Sequence, residues 1–212
     1  MHVIEALQER RSVKYFDPTH CVSEAEQKRL IELAMLSPTA FNLQHWRFVV
    51  LRDPALRQAV RAQSWDQPQV TDATLLIVVC ADLNAWRGDT RQYWVSAPKA
   101  VQEMIVPSIV AYYQNRPSVQ RDEAMRSGGI AAQSLMLAAK SMGYDSCPMV
   151  GFDFEAVGKL INLPQDHVIT MFVAIGKATQ APWPRGGQID YDRVALIDRF
   201  PDGCSHHPEE IR

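Results

Sequence analysis

A chain of 212 residues can bury one sizeable core, and 47% hydrophobic with 22% charged residues excludes disordered and fibrous classes. The 22 lysines and arginines are offset by 24 acids, leaving a formal net charge of -2, which argues against a general nucleic-acid binder. Cys21, Cys80, Cys147 and Cys204 are far apart and lack metal-ligand spacing, as expected of reduced thiols in a cytoplasmic protein.

In chain order, Val3-Ile4-Ala6-Leu7 predicts a short amphipathic helix, and because Met1 to Glu5 has no basic region followed by an apolar run, a signal peptide is not expected. Arg10-Arg11-Ser12-Val13-Lys14 follows: three cations and a hydroxyl with no acid among them. Guanidinium forks match phosphate oxygens bidentately, a hydroxyl adds a donor, and a lysine supplies a movable charge, so the array suits an anion. Taken alone, a solvated basic patch is the stronger reading. Ser23 and Glu26 have capping-box spacing ahead of a helix that runs to Ser37-Pro38. A loop, Thr39 to His45, leads into the strand Trp46 to Leu51, and Asp53-Pro54 starts another helix.

After a polar connection from Trp65 to Asp72, Ala73 to Ala81 is apolar on both faces, which places it mid-sheet; it is too short to span a bilayer. The segment from Leu83 to Asn115 is helical in pattern, with breaks expected near Pro98 and Pro107. Gly128-Gly129 precedes a buried helix, Ile130 to Met142, capped by Gly143. Its small residues, Gly128, Gly129, Ala131, Ala132 and Ala138, suggest close approach of another helix, from this chain or a second copy. Cys147 to Val150 forms a short apolar piece broken by Gly151, Asp153 caps a helix to Ile161, and Val168 to Ile175 is a second buried strand. From Pro182 onward the chain is too thinly apolar for a core of its own. Cys204, His206 and His207 could be imagined as a metal site, but adjacent histidines in a proline-rich tail are more often solvated, and no metal is expected.

Four separated pieces form one pattern: Arg10 to Lys14, Ser37 to Trp46, Pro148 to Asp153, and Arg185 after a strand-Gly-Lys. In this order and spacing the chain, from about Val3 to Phe200, resembles the FMN-dependent nitroreductase family. The resemblance implies an α+β fold in which a mostly antiparallel sheet is flanked by helices. It also implies a single domain over 1-212, an intertwined homodimer with two FMN sites at its interface, and a tail, 182-212, that exchanges a strand with the partner.

By the same resemblance Arg10, Ser12 and Arg185 would hold the ribityl phosphate with Arg11 nearby, and Lys14 would face the N1 and C2 carbonyl edge of the flavin. Pro38, Thr39, Ala40 and Asn42 would come from the other subunit. Pro148, Met149, Val150 and Gly151 would lie along the ring, with a backbone N-H near Val150 or Gly151 at N5. Gln69, and more weakly Asp66, would touch the pyrimidine end. Many relatives carry glutamate at Val150, a departure that costs little if the backbone makes the contact; some carry lysine at Gln69, so the flavin potential is expected to lie lower here than in members with two lysines. Trp46 is expected in the core, and Lys177 as a solvated residue after a strand. Trp86, Tyr93, Trp94, Tyr112 and Tyr113 are plausible wall residues over the flavin.

The implied activity is ping-pong transfer of hydride from NADH or NADPH, through the flavin, to nitroaromatics, quinones or similar acceptors. No side chain need act as nucleophile or base, because the cofactor carries the chemistry. Storage or sensing of FMN without turnover, and specialised reductions such as dehalogenation or flavin breakdown, are the alternatives the fold admits.

Overall fold

The chain begins with α1 (Val3–Glu9), which buries only Ala6 and ends at Arg10, so the basic stretch leaves a helix in extended form. The computed structural model describes residues Met1 to Phe200. Helix α2 (Glu24–Ala34) opens on the expected capping box: the Glu26 N-H donates to Ser23 Oγ at 3.2 Å, and Ser23 N-H returns a bond to Glu26 Oε2 at 3.0 Å. It stops at Ala34, four residues before Pro38, because Leu36 and Ser37 already bond back to Leu33 and Ala34 in tighter turns.

Strand β1 (Trp46–Leu51) and helix α3 (Pro54–Ala62), capped by Asp53, match the sequence pattern. A short helix, α4 (Gln69–Asp72), stands where a loop was expected, and strand β2 (Leu75–Asp82) starts two residues later than its apolar run. A 3₁₀ turn, Thr90–Trp94, precedes α5 (Lys99–Tyr113); Pro98 marks its start as expected, whereas Pro107 lies within it. Helix α6 (Pro117–Ser141) starts 13 residues before the apolar run that signals it. Strand β3 (Asp145–Met149), α7 (Phe154–Leu160) and β4 (His167–Gly176) complete the first unit.

The four strands form one antiparallel sheet in the order β1-β2-β4-β3. Both faces of central β2 are covered. Leu76, Val78 and Cys80 join Phe172, Cys147 and Phe152 on one side, and Leu75, Ile77 and Val79 meet α2 and α6 through Leu30, Ala132 and Leu135 on the other. This explains the unbroken apolar run.

Of the small residues of α6, Ala132 and Ala138 pack in the cluster that holds Leu30 and Ala34 of α2, as expected of a neighbouring helix. At Gly128 the expectation is corrected: the space beside it is filled by Thr170 of β4, while nothing lies near Gly129. Thr170 is the extra residue where the β2-β4 register slips, and its hydroxyl donates to the Val79 carbonyl at 2.8 Å.

The chain divides into two compact units at Pro182. The second, from Trp183, has among its described residues one helical turn, α8 (Tyr191–Val194), and exposed apolar side chains that include Trp183, Tyr191 and Ile197. Cys204, His206 and His207 lie outside the described residues. Among the described residues no helix is long and apolar enough to cross a membrane.

The Ser23 hydroxyl, then its N-H, then the Tyr144 hydroxyl draw the Glu26 carboxyl down from 4.5 to about 2. Removing the cap, Ser23→Ala, is expected to cost about 1 kcal/mol at neutral pH. A depressed carboxyl stabilises the fold fully above its ordinary value and loses that contribution as pH falls through the folded one. The gap between wild type and variant in urea unfolding should therefore narrow from pH 4.5 toward 2.

Candidate functional site

Strand β3 is an edge of the sheet, and its outer side is taken by the basic segment. Ser12 pairs with Ser146 in parallel, and the Val13 N-H donates to the Ser146 carbonyl at 3.1 Å. Val13 is buried in the core, while Ser12 and Lys14, on either side of it, are exposed. Extended alternation thus anchors the segment by its one apolar side chain and turns its polar neighbours outward. Because the pairing is parallel, Lys14 lies level with Pro148. Burial pushes the Cys147 thiol up, and Lys14 and Arg10 are close enough to oppose that shift.

Beyond β3 the chain turns at Val150 to Phe152, and the segment from Gln63 to Gln69 is fastened against this turn. Gln67 Nε2 donates to the Gly151 carbonyl at 3.0 Å, and the Asp153 N-H donates to the Gln63 carbonyl at 2.9 Å. Gln69 is buried, with its Nε2 on Gln67 Oε1 at 3.0 Å. Asp66 is paired with Arg61 at 2.7 Å. Trp65 projects from this segment with 79% of its surface exposed, and its benzo ring occupies the space that a side chain at Gly151 would need. Sequence reading passed over Trp65 as part of a polar connection; an isolated exposed aromatic carries no periodic signal.

The loop holding Pro38, Thr39, Ala40 and Asn42 is shaped by a 3₁₀ turn, Ala40–Asn42, with Phe41, Asn42 and Gln44 all at positive φ. Its fixings come from the Thr90–Trp94 turn. Asn42 Nδ2 donates to the Tyr93 carbonyl at 2.8 Å, and Trp94 Nε1 donates to the Phe41 carbonyl at 3.0 Å. Tyr93 and Trp94 therefore brace this loop. Trp86 and Tyr113 are buried and stacked on each other, which places them beneath the surface rather than on a wall. Trp46 is buried as expected, and Lys177 is engaged: its Nζ donates to the Gly143 carbonyl and lies over the Tyr144 ring. Arg185 belongs to the second unit.

Behind the loop His45 is buried, its Nδ1 3.0 Å from Ser127 Oγ on α6. Burial holds this imidazole down from 6.5 to about 4, so it is neutral at physiological pH. Asp82, Asp166 and His167 are half-buried with ligand atoms within 4.8 Å of one another; Arg47 pairs with Asp82, and Asn84 and His167 bond to Asp166.

The Nitroreductase family model matches residues 7–177, more than three quarters of the chain. The chain belongs to the nitroreductase family. Among relatives, Protein DrgA of Synechocystis sp. is 52% identical over 186 residues, covering 87% of this chain and 89% of that protein. MhqN of Bacillus subtilis, assigned as an NAD(P)H nitroreductase, is 32% identical and covers 84% of this chain and 90% of its own length. A solved structure from Exiguobacterium sibiricum, assigned as a nitroreductase and in complex with FMN, superposes with a TM-score of 0.85. It is 27% identical, covering 92% of this chain and 97% of that one. The α+β architecture with an antiparallel sheet flanked by helices is thus the nitroreductase fold.

The His45 site makes a stability prediction. A histidine whose folded pKa is depressed stabilises the fold fully above its unfolded value, and that contribution drains away as pH falls through the folded value. Between pH 6.5 and about 4 wild type should lose on the order of 3 kcal/mol through this residue. His45→Gln should be less stable at neutral pH yet show a flatter decline across that window, measured by urea unfolding at a series of pH values.

Proposed function

We propose that the protein is an FMN-dependent NAD(P)H oxidoreductase that passes hydride to electron-poor acceptors such as quinones or nitroaromatics. The observation that carries this reading is the parallel pairing of Ser12 with Ser146, which brings the cationic segment alongside β3 and the Pro148 to Gly151 turn. The donor set fits the cofactor. Arg10, Ser12 and Lys14, with Arg11 beside them and no carboxylate between positions 10 and 16, offer donors suited to a phosphate and to a ring edge that gains negative charge. The FMN complex of the Exiguobacterium sibiricum relative and the NAD(P)H assignment of MhqN support the same cofactor and donor class.

FMN, when bound, supplies two-electron hydride chemistry in alternating half-reactions. The chain's own residues do the rest. Arg10 and Ser12 would bind the phosphate; Arg185 is carried over from the resemblance alone. Lys14 would hold positive charge against the N1 and C2 carbonyl edge, favouring the reduced state. Pro148, Met149, Val150 and Gly151 would border the ring. The Val150 and Gly151 carbonyls are already engaged, by the Phe152 N-H and by Gln67, which fixes the peptides of that border. Gln69 is held buried behind it, with one of its two amide N-H groups spent on Gln67.

Pro38, Thr39, Ala40 and Asn42 would serve the site of a second copy in a homodimer. In the same reading the second unit is the tail that crosses to the partner, 1-212 works as one domain, and the protein acts in the cytoplasm.

Purified protein is expected to be yellow and dimeric, to bleach on addition of NADH or NADPH, and to recover colour with a quinone. Lys14→Met should retain the flavin while lowering its midpoint potential by roughly 30 to 60 mV, as loss of one nearby charge implies. A spectroelectrochemical titration checks this, and an unchanged or raised potential would refute the place given to Lys14.

A further inference from the structure

Trp65 is exposed over 79% of its surface although its setting is rigid. Trp65 and Asp66 are consecutive residues at positive φ, 52° each, a conformation that costs a bulky side chain energy and is kept only where the surroundings impose it. Three fixings impose it: the Arg61–Asp66 ion pair at 2.7 Å, the bond from Gln67 to the Gly151 carbonyl at 3.0 Å, and the bond from Asp153 N-H to the Gln63 carbonyl at 2.9 Å. The indole is pressed onto residue 151. A Cβ there would stand 2.6 Å from Trp65 Cζ3 and 2.9 Å from Cε3, so only glycine lets the ring lie where it does. A large aromatic is thus held in water at a conformational cost, directly beside the turn that borders the proposed flavin seat.

We propose that Trp65 is a specificity-determining residue, a stacking wall that selects flat, conjugated acceptors of about two fused rings over small acyclic ones. The proposal rests on the flavin reading above. An indole whose benzo ring backs onto a glycine and whose remainder faces solvent offers planar contact area with little conformational freedom left to lose. Stacking rewards a second flat π-system in proportion to overlap, and an acyclic acceptor gains almost nothing from it. The neighbouring side chains do not duplicate the surface: Gln69 is buried, and Asp66 is paired with Arg61.

The test compares wild type, Trp65→Ala and Trp65→Phe, each purified with its flavin, using menadione as the two-ring acceptor and methyl vinyl ketone as the acyclic one. Trp65→Ala is expected to lower the ratio of kcat/KM for menadione to that for methyl vinyl ketone about tenfold, mostly through the KM for menadione. Trp65→Phe, which keeps a flat ring, should restore the ratio to within about threefold of wild type. Equal losses for both acceptors, no rescue by phenylalanine, or conversion of Trp65→Ala from dimer to monomer would overturn the proposal. Each would make the indole a structural or interface contact. A wild-type protein without flavin would overturn the cofactor reading and this proposal together, whereas flavin-loaded variants with an unchanged ratio would overturn this proposal alone.

Discussion

The backbone pairing of Ser12 and Val13 with Ser146 is the contact on which the site depends. An edge strand offers a row of unpaired N-H and C=O groups, and something must cover them. Here β3 is covered by the residues that carry positive charge. Val13 is drawn into the core, and the pleat then presents Ser12 and Lys14 to the outside. Without that anchor the cations would be a flexible cluster after a short helix. With it they become a fixed row beside the sheet edge that runs on into the Pro148 to Gly151 turn.

The same edge explains why the neighbouring loop is tied down. Strand β3 ends at Met149, and the turn after it would be poorly held if it stood alone. Gln67 and Gln63 bind it on one side, and Phe152, stacked on Phe172 of β4 with centroids 3.8 Å apart, pins it to the core on the other. The sheet thereby transmits its rigidity to a segment outside it. A site that works by positioning a cofactor rather than by proton transfer from a side chain needs this transmission more than it needs a tuned acid or base.

What was legible in the sequence follows from how local the cause is. The Ser23 to Glu26 box, the Asp53-Pro54 start and the Asp153 cap are decided within four residues, and all three stand as expected. Double-sided burial of β2 was visible as an unbroken apolar run. The start of α6 was not, because its first turns face solvent and only the later part carries the apolar signal. Pro107 inside α5 also ran against a local rule; the helix continues through it, with Ile109 and Tyr113 buried beyond. The close approach at Gly128 could be expected but not its partner, since Thr170 reaches it through a register slip between distant strands. Of the site, the cationic row and the two loop motifs were legible as a pattern. The roles of Gln69 and Trp65 depend on how segments 63-69 and 150-153 meet, which no local spacing encodes.

The distribution of backbone strain ties these parts together. Eight non-glycine residues among those described have positive φ, and five of them, Asn42, Asp66, Asn115, Asn162 and Asp198, are of the types that tolerate it in ordinary turns. The other three, Phe41, Gln44 and Trp65, fall in two short segments, the first two around Asn42 and the third beside Asp66. Phenylalanine, glutamine and tryptophan gain nothing locally from this conformation, so something beyond the turn must hold them there. In each segment the holders are visible: Tyr93, Trp94 and Thr39 for the first, Arg61 and the Gly151 turn for the second. Cost concentrated in the two loops proposed to border the flavin, and nowhere in the sheet, is the pattern expected when rigid strands support a binding surface whose shape the chain would not adopt unaided.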